Sequence, residues 1–310
     1  MKPIYSVVVP LYNEEEVIRE AYRRLTEVME SVDGSYELVF VNDGSRDATQ
    51  SLARAICEED KRVRLISFSR NFGHQTAITA GMEHALGQAV VVIDADLQDP
   101  PGVIPRMIEK WKEGYGVIYG LRTKRKGETL FKKLTASVFY RFLRHMTDVD
   151  VPADAGDFRL LDRKVVDALL LLPERNRYVR GLVSWVGFRQ TGIPYVREER
   201  FAGKTKYPLK KMLRFAGDAI VSFSTKPLKW LRALGAAVTL GGAGYLVALL
   251  VRALGGGIEQ GETKLMLGIV LFVLGVFMTS LGITLSYVGR ILDEARGRPL
   301  YIVEEEINAP

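Results

Sequence analysis

The sequence predicts an α/β protein: a mainly parallel sheet covered on both faces, then an interfacial segment and two membrane-crossing helices. Three observations carry this. Short apolar runs alternate with helical patterns over the first two hundred residues, the signature of βα units. Two long stretches in the last quarter contain no charge: Ala233–Val251 has 19 residues and Leu265–Gly289 has 25. Between these regions, Arg200–Arg232 holds nine basic residues and one acid, Asp218, a net of +8 in a chain whose total is +6.

The elements follow in order. Tyr5–Pro10 is a buried strand, and Glu14–Val32 is a helix with Val17, Ile18, Ala21, Leu25 and Val28 on one face. Tyr36–Val41 is the second strand and Ala48–Glu59 the second helix. Strands at Val63–Phe68 and Ala89–Ile93 flank a helix over Thr76–Leu86, and Gly116–Tyr119 adds a fifth strand. Helix N-caps are expected at Asp43 or Ser45, and at Asp99 before Pro100-Pro101. Residues 1–205 form this soluble unit. In residues 206–228, Leu209, Met212, Leu213, Ala216, Ile220 and Phe223 share one helical face, opposite Lys210, Lys211, Arg214 and Asp218. An ordinary surface helix has the same pattern; adjacency to an apolar span favours a helix lying in the headgroup region.

Roughly 20 apolar residues cross a bilayer, so 229–290 is expected to form a hairpin, its spans at about 233–251 and 265–289. The alternative is a pair of buried core helices. Lys226, Lys229 and Arg232 precede the first span, and Arg290, Arg296 and Arg298 follow the second. The only basic residues of the connecting loop are Arg252 and Lys264. The positive-inside rule therefore places the soluble unit, the tail at 291–310 and both termini in the cytoplasm, on the inner membrane. No signal peptide is expected, because Met1-Lys2-Pro3 leads directly into a strand. Gly241, Gly242, Gly244, Gly275 and Gly282 leave faces where helices can approach closely, which suits a homo-oligomer.

Composition excludes several classes. Hydrophobic residues are 47% and charged residues 26%, which suits a folded protein. A lone Cys57 excludes a disulfide framework and cysteine-based zinc, and His74, His84 and His145 have no ligand spacing. Neither GxGxxG nor GxxxxGK[ST] occurs where it would bind a nucleotide. The basic belt adjoins apolar spans and the rest of the chain sums to −2, so nucleic acid is not the expected partner.

In parallel sheets ligands bind beyond the carboxyl ends of the strands. Strand one ends in Pro10-Leu11-Tyr12-Asn13-Glu14, strand two in Asn42-Asp43-Gly44-Ser45, and strand four in Asp94-Ala95-Asp96-Leu97-Gln98-Asp99. Carboxylates without histidine or cysteine suit a hard divalent cation that also holds phosphates, Mg2+ or Mn2+.

The combination PLYNEEE, VNDGS, DADLQDPP, GDFRL and a terminal helix pair resembles the family 2 glycosyltransferases with the GT-A fold. More narrowly it is similar to the polyprenyl-phosphate branch: dolichol-phosphate mannose synthases, the aminoarabinose transferase of lipid A modification and the bactoprenol glucosyltransferases. The resemblance runs from Ser6 to about Tyr301, and the QxxRW motif of processive synthases is absent. It implies that Pro10, Tyr12, Glu14, Asp43 and Asp94 bind the nucleotide sugar, and that Asp94, Asp96 and Gln98 hold the metal. Asp157 takes the acceptor-side catalytic role. The lipid phosphate is expected to meet Arg122, Lys132 and Ser137, with Arg200, Lys204 and Lys206 approaching from the membrane side. The implied reaction transfers glucose from UDP-glucose to undecaprenyl phosphate, with inversion, for the cell envelope; GDP-mannose, UDP-GlcNAc or a UDP-aminoarabinose derivative are alternative donors. A non-catalytic nucleotide-sugar sensor is disfavoured by the joint presence of Asp94, Asp96 and Asp157. A flippase component is disfavoured by the absence of charge within the spans.

Overall fold

The computed structural model describes residues 2–124, 155–175, 177–198, 226–255 and 260–309. One eight-stranded sheet organises the α/β part of the chain, in the order β7-β5-β6-β4-β1-β2-β3-β8. Its strands are β1 (Tyr5–Leu11), β2 (Tyr36–Asn42), β3 (Val63–Phe68), β4 (Ala89–Val92), β5 (Val117–Lys124), β6 (Ala155–Asp162), β7 (Gln190–Val196) and β8 (Val303–Ile307). β4, β1, β2 and β3 run parallel; β6 is antiparallel between β4 and β5; β7 is parallel to β5. β8 is antiparallel to β3. The mostly parallel sheet expected from the sequence is therefore present.

Alternation along β1 shows why both faces must be covered. Val7, Val9 and Leu11 point to a cluster completed by α1 (Ile18–Glu30), α2 (Thr49–Glu59) and α4 (Ile104–Lys112). Val8 points the other way, into a cluster with α3 (His74–His84), α5 (Arg163–Leu170) and α6 (Val179–Trp185). All seven residues of β1 and of β2 are buried, so their sequences read as continuous apolar runs.

Several local expectations change. α3 begins at His74 rather than Thr76, which places His74 and Gln75 in its first turn. Neither Asp43 nor Ser45 caps α2, whose first residue Thr49 instead donates its N–H to Asp47 Oδ1 at 3.0 Å. Asp99 caps nothing either, because its carboxylate is taken by Arg122 and Tyr195.

Beyond β7, α7 (Lys226–Gly255) and α8 (Gln260–Ala295) coincide with the two uncharged stretches. Among the described residues one helix, α8 over Leu265–Ala295, is long and apolar enough to cross a membrane; the apolar run described within α7 is Ala233–Gly242. Residues 291–310, read as a tail, carry the end of α8 and then β8. The amphipathic segment expected at 206–228 lies outside the described residues up to Thr225.

At the amino end of the parallel strands Glu37 accepts from Ser6 Oγ at 2.6 Å, from Leu86 N–H at 2.7 Å and from Arg64 Nη1 at 3.1 Å. Arg64 also reaches Glu306 of β8 at 3.2 Å, which ties that strand to the sheet through side chains as well as backbone.

Gly81 sets the height of α3 above the sheet: a Cβ there would lie 2.1 Å from Val8 Cγ1 and 3.2 Å from Val41 Cγ2. Gly81→Ala should overpack this contact, cost about 1–3 kcal/mol and lower Tm in a thermal melt. An unchanged Tm would mean that α3 can lift without penalty.

Candidate active site

The loops at the carboxyl ends of β1 and β2 hold each other. Asn13 sits in the left-handed region, at φ +53°, a conformation Asn tolerates. Its N–H donates to Ser45 Oγ at 3.0 Å and its Oδ1 accepts from Arg46 N–H at 2.9 Å. Glu14 N–H donates to Thr49 Oγ1 at 2.8 Å. Pro10 is buried within β1, whereas Tyr12 is 37% exposed at the strand's exit.

Asp43, 2% exposed, faces the loop that starts α3. Its carboxylate accepts from Phe72 N–H at 2.6 Å, Gly73 N–H at 3.0 Å and Asn71 Nδ2 at 2.9 Å. Burial lifts its pKa above the ordinary value, against the pull of those N–H groups. Gly44, at φ +62°, permits the approach: a Cβ would lie 2.4 Å from the Arg70 carbonyl carbon. Asp43 thus fixes the entry to α3, and with it His74.

The acidic centre arises from strand register. β4 pairs antiparallel with β6, with Val92 opposite Arg159. Continuing that register past the ladder brings Asp157 opposite Asp94. His74 Nε2 lies between them, 3.4 Å from Asp94 Oδ1 and 3.5 Å from Asp157 Oδ2. Arg180, from the first turn of α6, grips Asp157 with two bonds of 2.8 Å, Nε to Oδ1 and Nη2 to Oδ2. Gln75 joins them, its Nε2 3.5 Å from Asp157 Oδ2 and its Oε1 accepting the Val179 N–H at 3.0 Å.

Charge follows from this packing. Burial raises the Asp94 carboxyl to about 6; the His74 cation opposes the rise, and Asp157, Asp96 and Asp99 add to it. Burial disfavours the His74 cation, but Asp94 and Asp157 outweigh it and push the imidazole up to about 9. Asp157 is desolvated too, yet Arg180 and then His74 hold it well below the usual carboxylate range. A carboxylate so stabilised is a weak base and a fixed anion.

Asp96 accepts the Gln98 N–H at 3.1 Å across a turn in which Leu97 has φ +58°. The Gln98 carbonyl accepts the Glu198 N–H at 2.9 Å. Asp99, fully buried, takes Arg122 Nη2 at 3.2 Å and a short hydrogen bond from the Tyr195 hydroxyl, with Arg197 Nε at 3.9 Å. Arg122 also donates to the Tyr195 oxygen at 3.1 Å and is only 13% exposed, so its guanidinium lies beneath the site. Gly156 lets it pass; a Cβ there would meet Arg122 Nη2 at 2.5 Å.

The structure brings together Asp94, Asp96 and Asp157, and sets Pro10, Tyr12, Glu14 and Asp43 on the adjoining strand ends. Lys132, Ser137, Arg200, Lys204 and Lys206 lie outside the described residues. His74, Gln75 and Arg180 are site residues that sequence reasoning missed. The position of His74 just after Gly73, at a strand-to-helix passage, was a usable signal; Arg180 offers none, being 23 residues from its partner. Among the described residues no three His, Cys, Asp or Glu side chains converge as a ready-made metal centre. Asp94 Oδ1 is nevertheless buried without a hydrogen-bond partner among the described residues. With Asp96 it offers hard anionic oxygens, which fit a divalent cation that completes its shell with phosphate or water.

Comparison with known proteins gives the chain its family. Residues 6–170 match the family described as glycosyl transferase family 2. The chain belongs to that family. It is a glycosyltransferase, and its sheet is of the GT-A type. An uncharacterized glycosyltransferase of Bacillus subtilis, YkcC, is 56% identical over 97% of this chain and 93% of the relative. The bactoprenol glucosyl transferase of Shigella phage SfV is 41% identical over 97% of this chain and 98% of the relative. A solved mannosyltransferase from Pyrobaculum calidifontis, in complex with GDP-Man and Mn2+, aligns over 96% of this chain and 89% of that one, at 19% identity and a TM-score of 0.46.

The Arg180 clamp has a stability consequence with a definite sign. A depressed carboxyl pKa stabilises the fold above the unfolded-state value near 4, and that stability is lost as pH falls through the folded value. Arg180→Gln should therefore be destabilised at pH 7 by on the order of 3 kcal/mol, because Asp157 is left charged and buried. The gap from wild type should narrow when urea unfolding is repeated near pH 3. A gap that is constant with pH would remove the charge explanation.

Proposed function

We propose that this glycosyltransferase transfers a hexose, glucose from UDP-glucose, to a polyprenyl phosphate, undecaprenyl phosphate, at the cytosolic face of the inner membrane. One observation carries the reading: the segment that leads into Arg180 of the acidic site also touches the end of the apolar helix α8. Arg180, which grips Asp157, is five residues from Arg175, whose N–H donates to Glu294 of α8 at 2.8 Å. A site so placed suits one soluble, phosphate-bearing substrate and one lipid-borne substrate. The relative named bactoprenol glucosyl transferase, alike over nearly the whole chain, supports the same choice.

The chemistry is a single in-line displacement. A phosphate oxygen of the acceptor attacks C1 of the sugar, a new C1–O bond forms, and the bond from C1 to the nucleoside diphosphate breaks with inversion. Pro10, Tyr12, Glu14 and Asp43 shape the nucleotide end, and Asp43 does so by fixing the loop at 71–73. Asp94 and Asp96, with Gln98, hold a divalent cation, Mg2+ or Mn2+. Such a cation neutralises the charge that develops on the departing diphosphate. Lys132, Ser137, Arg200, Lys204 and Lys206 receive the acceptor phosphate, while Arg122 supports the floor through Asp99. The uncharged stretches of α7 and α8 anchor the chain as a hairpin, with both termini cytosolic.

Asp157 orients rather than abstracts. A phosphomonoester has a second pKa near 6 and needs little help to ionise at neutral pH. Its negative charge is met by Arg180 and His74, which Asp157 holds in place.

Purified protein incubated with undecaprenyl phosphate and a panel of UDP- and GDP-sugars should yield a lipid-phospho-hexose by mass, from UDP-glucose above the others. EDTA should abolish turnover, and Asp96→Ala should lose at least about 10³-fold. Full activity in EDTA would sink the metal assignment.

Asp157→Asn should lower kcat by at least about 10²-fold, and by a similar factor from pH 6 to pH 9. Recovery of most activity at pH 9 would instead make Asp157 the base.

A further inference from the structure

The segment joining α5 to α6 carries a contact that the transfer chemistry does not use. Arg175 N–H donates to Glu294 Oε1 at 2.8 Å, while its side-chain Nε lies 3.9 Å from Oε2. Glu294 stands one residue before the end of α8. It is five residues past Gly289, where the uncharged run stops, so it lies about 8 Å beyond that run along the helix axis.

Both ends of the contact are tied into the fold. On the enzyme side, Arg177 donates to the Leu172 carbonyl and, at 3.1 Å, to the Glu174 carbonyl. Tyr178 and Val179 are then buried in the core, and the Val179 N–H is held by Gln75. Arg180 follows at once, with both carboxylate oxygens of Asp157 in its grip. On the helix side, α8 ends in a turn with Gly297 at φ +64°. Tyr301 then stacks on Phe68 at 4.9 Å and donates to Glu83 at 2.7 Å. The last turn of α8 is thus pinned by β8 behind it and by Arg175 beside it.

We propose that Glu294 is a positioning residue: by holding the Arg175 N–H it fixes the start of α6 and keeps Arg180 aligned on Asp157. Through this strut the alignment of the site depends on how the apolar helix is seated. The proposal rests on reading the Asp157 site as a glycosyl-transfer site that meets a lipid-borne acceptor. Glu294 is 40% exposed, and an exposed ion pair contributes little to stability. Its consequence is geometric. Small displacements of groups that align reacting atoms are costly even when their origin is remote.

The test uses the full chain in phospholipid nanodiscs, with Glu294→Ala, Glu294→Gln and Arg175→Ala. Transfer from UDP-glucose to undecaprenyl phosphate is measured beside amide hydrogen exchange. In Glu294→Ala, kcat should fall about tenfold or more while KM for the nucleotide sugar stays within about twofold. Exchange should quicken in Val179–Trp185 and stay unchanged in β1 and β2. Glu294→Gln keeps an oxygen for the Arg175 N–H and should recover most of the loss. Arg175→Ala keeps the N–H itself and should resemble wild type. Unchanged kcat and unchanged α6 exchange in Glu294→Ala overturn the proposal, as does faster exchange that spreads into β1 and β2. If the wild-type chain transfers no sugar from any donor, the functional reading fails, and the exchange pattern alone still decides the strut.

Discussion

Four carboxylates crowd the carboxyl end of this sheet, and the cations that face them determine how that end is built. Asp94, Asp96, Asp99 and Asp157 come close enough for the other three to raise the pKa of Asp94. Each solution to this crowding differs. Asp99 is buried outright and matched by Arg122 and the Tyr195 hydroxyl. Asp157 is matched by the planar fork of Arg180, whose two parallel bonds fix direction as well as charge. Among the described residues Asp94 has an imidazole at 3.4 Å and keeps a buried oxygen without a hydrogen bond.

Placement of the matching cations depends on backbone far from the centre. His74 reaches its position because Asp43 binds three groups of the loop before it, and because Gly44 lets the two loops touch. The height of α3 depends in turn on Gly81, which lies against Val8 in the middle of the sheet. A rigid core of interlocking side chains is what allows such remote residues to set distances at the site.

Much of this was legible in the sequence, for physical reasons. β1 to β4 are buried on both faces, so they appear as apolar runs, and their exits are where chemistry is expected. β6 was visible only as the motif GDFRL, because Asp157 and the buried Arg159 interrupt its apolar pattern. β7 contains Gly192 and Pro194, which a central strand rejects but an edge strand accepts. β8 reads as an acidic tail, Val-Glu-Glu-Glu-Ile; its glutamates become acceptable only once Arg54 and Arg64 stand opposite. The acids of the site followed from strand ends and motif. Their partners were harder to read: His74 is marked only by its place just after Gly73, and Arg180 reaches the centre from a separate helix through tertiary packing alone.

The attachment of β8 also bears on how the α/β part of the chain can be isolated. β7 and β8 are the two opposite edges of the sheet, so the helices between them are an insertion into the domain rather than an appendage to it. Cutting the chain before α7 would remove an edge strand, strip the Tyr301 ring from Phe68, and leave Arg64 without Glu306. A water-soluble version should therefore be made by excision: a flexible linker long enough to cross the sheet, roughly 34 Å at about 4.8 Å per strand, replaces the helices, and the final residues from about 300 onward are kept. Two edges joined across the removed segment would preserve the full sheet, whereas truncation would leave β3 as a raw edge open to pairing with other chains.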